Sequence, residues 1–180
     1  MWPDDIFTPR DSNELITATM AVHEGAHAAV AVGNFLTVAG IVIAGPEGIA
    51  GPAGNDLTVG GRTRFTGMES HVRGWPGIVT AMAARPAVHR YLRCVGASLI
   101  GDLAAWTAVL EPSFTADDAD VARYGAGEYG AALNLAWCQE IADRLVEEHW
   151  DRVVAVAQAL TTAQGHLSGD DPALLAALAQ

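Results

Sequence analysis

His23, Glu24 and His27 are the residues whose types and spacing could do chemistry together. Two histidines four positions apart lie one turn apart on the same helix face, so both imidazoles can reach one metal ion. The glutamate after the first histidine projects beside them, where a metal-bound water would be. In zinc hydrolases with this pattern the histidines are ligands and the carboxylate is the general base. At this chain's His and Glu frequencies, about one sequence in a hundred of this length would show the pattern by chance. The plainer alternative is a helix whose histidines and glutamate are merely satisfied by hydrogen bonds. The apolar setting weighs against that, because such groups are costly to bury without partners.

The spacing needs a helix, and residues 13–32 supply one. Asp11 followed by Glu14 reads as a capping box. Ile16, Met20, His23, His27 and Ala31 recur at helical intervals, and Gly33 is a natural stop. Phe35 to Ala44, rich in β-branched residues, predicts a buried strand. The Gly/Pro-rich passage after it predicts turns, with a second short strand around Ile49-Ala50 or Leu57-Thr58-Val59. An edge strand beside a zinc-protease motif helix commonly holds substrate backbone by strand addition, and this strand is a candidate for that role, with a purely structural hairpin as the equal alternative. Gly60 to Gly74 reads as a flexible surface loop. Trp75-Pro76 opens a helix, and Pro86 opens another from about Ala87 through Leu110, packed behind the motif helix. Thr115 with Asp118 resembles a second capping box, starting a helix toward Tyr124. Glu128 to about Ala163 reads as a long amphipathic helix with room for a kink. Its core face would carry Leu133, Trp137, Ile141, Leu145, Trp150, Val153, Val156 and Leu160. Ser168-Gly169-Asp170-Asp171-Pro172 caps a short last helix, Pro172 to Leu178.

Composition narrows the function classes. The 180 residues suit a single domain, and 51% hydrophobic content argues against disorder. A net charge of −11, with ten arginines and no lysine, makes nucleic acid an unsuitable partner, since no basic patch can neutralise phosphates. The acidic start, Met1-Trp2-Pro3-Asp4-Asp5, lacks the basic region of a signal peptide. Cys94 and Cys138, isolated in apolar segments, read as reduced thiols of a cytoplasmic protein. From Leu15 to Ala44 the ionisable residues are His23, Glu24 and His27, and that length could span a bilayer. The helix stop at Gly33-Asn34 and the strand after it favour a soluble protein without a membrane span.

Two histidines leave a zinc site incomplete, so a third ligand must come from elsewhere. The aspartates at 117, 118 and 120 are candidates, although a run of carboxylates at a helix start is also explained by the helix dipole. Glu111 and Glu128 are further candidates. Asp102, within an apolar helix, could accept a hydrogen bond from a zinc-bound histidine. His71, His89, His149 and His166 have no fixed spacing to the motif and read as surface or hydrogen-bonded histidines.

The order of elements resembles the peptidase domain of FtsH-type ATP-dependent zinc proteases over most of residues 12–178. The resemblance rests on the motif helix and on the strand ending in a turn, Ile41-Val42-Ile43-Ala44-Gly45-Pro46-Glu47-Gly48. It extends to an apolar helix, a following aspartate-bearing helix start, and a long helix with a short capped one behind it. It implies a mainly α, zincin-like fold with a small β element. Zn²⁺ would be held by His23, His27 and an aspartate, and Glu24 would be the catalytic base. Matching the downstream small residues places the aspartate at Asp118. Matching an aspartate before a branched apolar residue places it at Asp120. The chain departs from the family in having Gly25-Ala26 between the histidines, where Ala-Gly is usual. Gly101-Asp102-Leu103-Ala104-Ala105-Trp106 stands where the family has a Gly-Arg-x-Ala-Glu-Glu-like segment. A nucleotide-binding GxxxxGK[ST] loop is absent from these residues and could not be built without lysine.

The expectation is therefore a zinc metalloendopeptidase acting on peptide or protein substrates, with any ATPase supplied in trans. The alternative from another class is a catalytically inactive partner-binding module on the same fold, with zinc kept or lost.

Overall fold

The computed structural model describes residue 9 and residues 12–43, 61–66, 75–95 and 134–180. Within them the chain is mainly helical, with a small antiparallel sheet of three strands. The organising element is α1, Ser12–Gly33. From Leu15 to Ala31 nearly every side chain is buried, whichever way it points. A helix apolar on all sides needs neighbours all around, and α1 has them. Among the described residues it is the helix long and apolar enough to cross a bilayer, and 89% of that apolar window is buried inside the fold.

The helix ends one residue later than expected, in a Schellman turn. Phe35 N–H donates to Val32 O at 3.0 Å and Leu36 N–H to Ala31 O at 2.9 Å. Leu36 also packs on Ala31, the apolar contact that usually accompanies this motif. The left-handed position is held by Phe35 (φ 63°) rather than by glycine. Phe35 is 97% exposed, so the expected strand from Phe35 begins two residues further on.

Strand β1, Thr37–Ile43, lies between β2, Gly61–Thr66, and β3, His166–Ser168. Its register pairs Ile41 with Thr63 and Ile43 with Gly61 on one side, and Ile41 with Leu167 on the other. A bulge between Val38 and Gly40 shifts the alternation, so Val38 before it and Ile41 and Ile43 after it all face the core. With strands paired on both sides, β1 is the central strand of this sheet. The segment expected to be a surface loop supplies β2 instead. Arg62 and Arg64 are exposed while Thr63 and Phe65 are half-buried, the alternation of a strand with one wet face. The alternative strand positions at 49–50 and 57–59 lie outside the described residues.

Helices α2, Trp75–Met82, and α3, Ala84–Val95, follow with only Ala83 between them. Pro86 sits in the first turn of α3, two residues after its start, and the expected continuation to Leu110 lies outside the described residues. Ile78 and Val79 of α2 and Val88, Tyr91 and Leu92 of α3 pack into the core with α1. Of the helix expected from Glu128 to Ala163, residues 128–133 lie outside the described residues and the rest forms two helices. Helix α4, Leu135–Glu148, is capped by Asn134, whose side chain accepts from the Ala136 and Trp137 amides. Helix α5, Trp150–Thr162, begins after a break at His149 (φ −106°, ψ 23°). Trp137, expected in the core, is 48% exposed and meets exposed Trp75 edge-on, ring centroids 6.1 Å apart. The final helix α6, Pro172–Leu178, is capped by Asp171 as expected. Cys94 and Cys138 are both free thiols, the second fully buried, and burial raises the pKa of each.

Candidate metal and catalytic site

All three motif side chains are nearly solvent-inaccessible: His23 is 5%, Glu24 2% and His27 7% exposed. His27 and Glu24 are each held by a different neighbour of α1. His27 Nδ1 lies 2.8 Å from the backbone carbonyl of Thr80, in the last turn of α2. A carbonyl can only accept, so Nδ1 carries the proton, and in the neutral ring Nε2 presents a lone pair. That lone pair points at the first histidine. The Nε2 atoms of His23 and His27 are 3.2 Å apart, with the rings edge-on at 84°.

This distance tests whether the pair suits a metal. Two imidazole nitrogens, each about 2.0–2.1 Å from a tetrahedral zinc, lie about 3.3–3.4 Å apart. The observed separation is within a few tenths of an ångström of that, and the Thr80 carbonyl has set the tautomer a ligand needs. The donor set, two neutral nitrogens beside a carboxylate, also suits zinc. The negative chain as a whole favours cation approach.

Glu24 is placed by β2. Thr63 Oγ1 donates to Glu24 Oε2 at 2.6 Å and contacts the Glu24 backbone carbonyl at 3.3 Å. The other carboxylate oxygen, Oε1, lies 3.8 Å from His23 Nε2. Gly61 lets the strand come this close: a Cβ there would fall 2.2 Å from Oε1 and 2.8 Å from both Cγ and Cδ of Glu24. The opposite side of α1 has its own tight contact. A Cβ on Gly25 would meet the Val153 carbonyl of α5 at 2.8 Å. The Gly25-Ala26 order between the histidines therefore has a local cause, since position 25 faces a helix backbone.

Among the described residues no group of three or more His, Cys, Asp or Glu side chains gathers around a common point. Asp118, Asp120, Asp102, Glu111, Glu128 and His71 lie outside the described residues. His166 is exposed on β3, and His89 and His149 are half-buried on α3 and at the α4–α5 joint, none of them in a shown contact with His23, Glu24 or His27. Sequence reasoning passed over Thr63, Gly61 and Thr80. The alternation Arg62-Thr63-Arg64-Phe65-Thr66 was a usable strand signal for the first two. Thr80 acts through its backbone carbonyl, which leaves no trace in side-chain identity. Comparison with known protein families, characterised proteins and solved structures finds no match to this chain.

Proposed function

We propose that this chain is a zinc-dependent peptidase of zincin type, similar in plan to the peptidase domain of FtsH-type proteases. The reading rests on one observation above the others. Two buried histidine Nε2 atoms converge at 3.2 Å, one of them with its tautomer fixed by a carbonyl, beside a buried carboxylate. His23 and His27 would hold the ion, with Asp118, or alternatively Asp120, as third ligand. Zinc, when bound, supplies Lewis acidity that polarises a carbonyl and makes water a stronger acid. Glu24 takes the proton from the attacking water and passes it to the leaving amine. Strand β2, at the sheet edge among the described residues and in contact with Glu24, is where an extended peptide backbone would add. The substrates are then peptides or unfolded segments in the cytoplasm, and folded substrates require an ATPase acting in trans.

The test is zinc per chain in protein purified without added metal, beside His27→Ala and Glu24→Gln. The expected outcome is about one zinc in the parent and in Glu24→Gln, little in His27→Ala, and peptide hydrolysis only in the parent. Peptidase activity retained by Glu24→Gln would refute the role of the carboxylate. A zinc-loaded parent that cleaves nothing in broad peptide libraries would make the fold a partner-binding module.

A further inference from the structure

We infer that Thr63 is a positioning residue for the hydrolytic step, dividing the two oxygens of Glu24 into a held oxygen and a working one. The inference rests on the peptidase reading above and assigns work to a strand outside the motif.

The carboxylate of Glu24 is 2% exposed and sits on a side chain with three rotatable bonds. A buried glutamate aimed only by its own helix would sample several rotamers, and a general base must keep hydrogen-bonding distance to the proton it removes. Here one oxygen is committed. Thr63 Oγ1 donates to Oε2 at 2.6 Å, the length of a strong charge-assisted hydrogen bond. Oε1 is left on the histidine side, 3.8 Å from His23 Nε2. The second contact of the same hydroxyl, 3.3 Å to the Glu24 carbonyl, ties β2 to the α1 backbone as well as to the side chain. Gly61, two residues along and on the same face of β2, leaves the space the Glu24 side chain occupies, since a Cβ there would fall 2.8 Å from both Cγ and Cδ. The pairing of Thr63 with Ile41, and of Gly61 with Ile43, fixes both positions through buried residues of β1. Thr63 touches neither histidine in any of these contacts. It acts through Glu24, so its loss should leave metal in place and misdirect the base.

The experiment has two arms. In the first, zinc content, kcat and KM are measured for Thr63→Val, which keeps the shape and removes the hydroxyl, and for Thr63→Ser, which keeps the hydroxyl. The expected result is parental zinc content and KM in both. Thr63→Val should lose about 10–100-fold in kcat, the usual size for groups that orient others around a metal site, and Thr63→Ser should recover most of it. In the second arm, metal-free protein is unfolded in urea as the parent, Thr63→Val, Glu24→Met and the double variant. The two substitutions should be non-additive, with Thr63→Val shifting the midpoint by roughly 1 M in the parent background and little in Glu24→Met. Hydrolysis by the parent, with additive midpoints and unchanged kcat in Thr63→Val, overturns the positioning role alone. A parent that binds zinc and hydrolyses nothing overturns the peptidase reading, and with it any catalytic use of this contact, even where the urea coupling is present.

Discussion

Replacing Gly25 with alanine sets two physical effects against each other, and the structure decides between them. In a helix interior glycine costs about 1 kcal/mol relative to alanine, so Gly25→Ala should stabilise α1 by about that much. Against this, the added Cβ would lie 2.8 Å from the Val153 carbonyl oxygen and 3.4 Å from the Ala157 amide nitrogen. These are backbone atoms of α5, and they cannot swing aside as the end of a long side chain can. The two helices must part by several tenths of an ångström, across the interface where Val153, Val156, Ala157 and Leu160 are fully buried. Overpacking of this kind costs about 1–3 kcal/mol, and the rigid contact places it toward the upper end. The net expectation is a loss of about 1–2 kcal/mol after the propensity gain. For a chain of this size that is a fall in Tm of roughly 2–8 °C. Thermal unfolding of metal-free parent and variant, followed by circular dichroism, measures it. Gly25 lies about 200° around the helix from His23 and from His27, so metal content should stay near parental. A variant as stable as the parent, or more so, would show that α5 yields at no cost and would refute the packing argument.

Other perturbations test separate parts of the fold. Phe35→Gly should raise stability by about 0.5–1 kcal/mol in urea unfolding, because the left-handed conformation strains any residue but glycine and the exposed ring gives up no contact; a loss would mean that the ring is packed in solution. His149, at the α4–α5 joint, has its pKa lowered by burial first and by Arg152 second, with Glu148 acting in the opposite direction. Its folded-state value is below its unfolded one near 6.5, so its contribution is complete above that pH and is lost as the pH falls through the depressed value. His149→Gln should therefore flatten the dependence of Tm on pH below about 6.5, and parallel curves for parent and variant would refute the assignment.

What could be read from the sequence followed from how much of each signal was local. Helix α1 and its three chemical residues were legible because spacing, apolar context and the stop near Gly33 agreed. The last helix was legible from Asp171-Pro172 alone, a cap and a first-turn proline that need no tertiary support. Strand β2 was missed because it is short, polar and set among glycines, and its stability comes from pairing with β1, a long-range property. Strand β3 spans three residues and has no periodicity to detect. Trp137 was placed in the core by helical period, but α4 buries a stripe through Cys138, Ala142 and Val146 instead. The site was legible as far as the helix that carries it, and its supporting groups, Thr63 and the Thr80 carbonyl, arrive from elements far along the chain.

The burial of α1 on every side has a consequence for how the molecule comes apart. Amide hydrogens in the middle of such a helix reach water only when the surrounding elements have let go, so they should exchange among the slowest in the chain. His23 and His27 belong to that slowest segment. Surface sites are often lost by local fraying well before a protein melts, whereas these two histidines come free only with the most enclosed of the described helices. Release of a bound metal and collapse of helical signal should trace one curve, making the ion's departure a reporter of global opening.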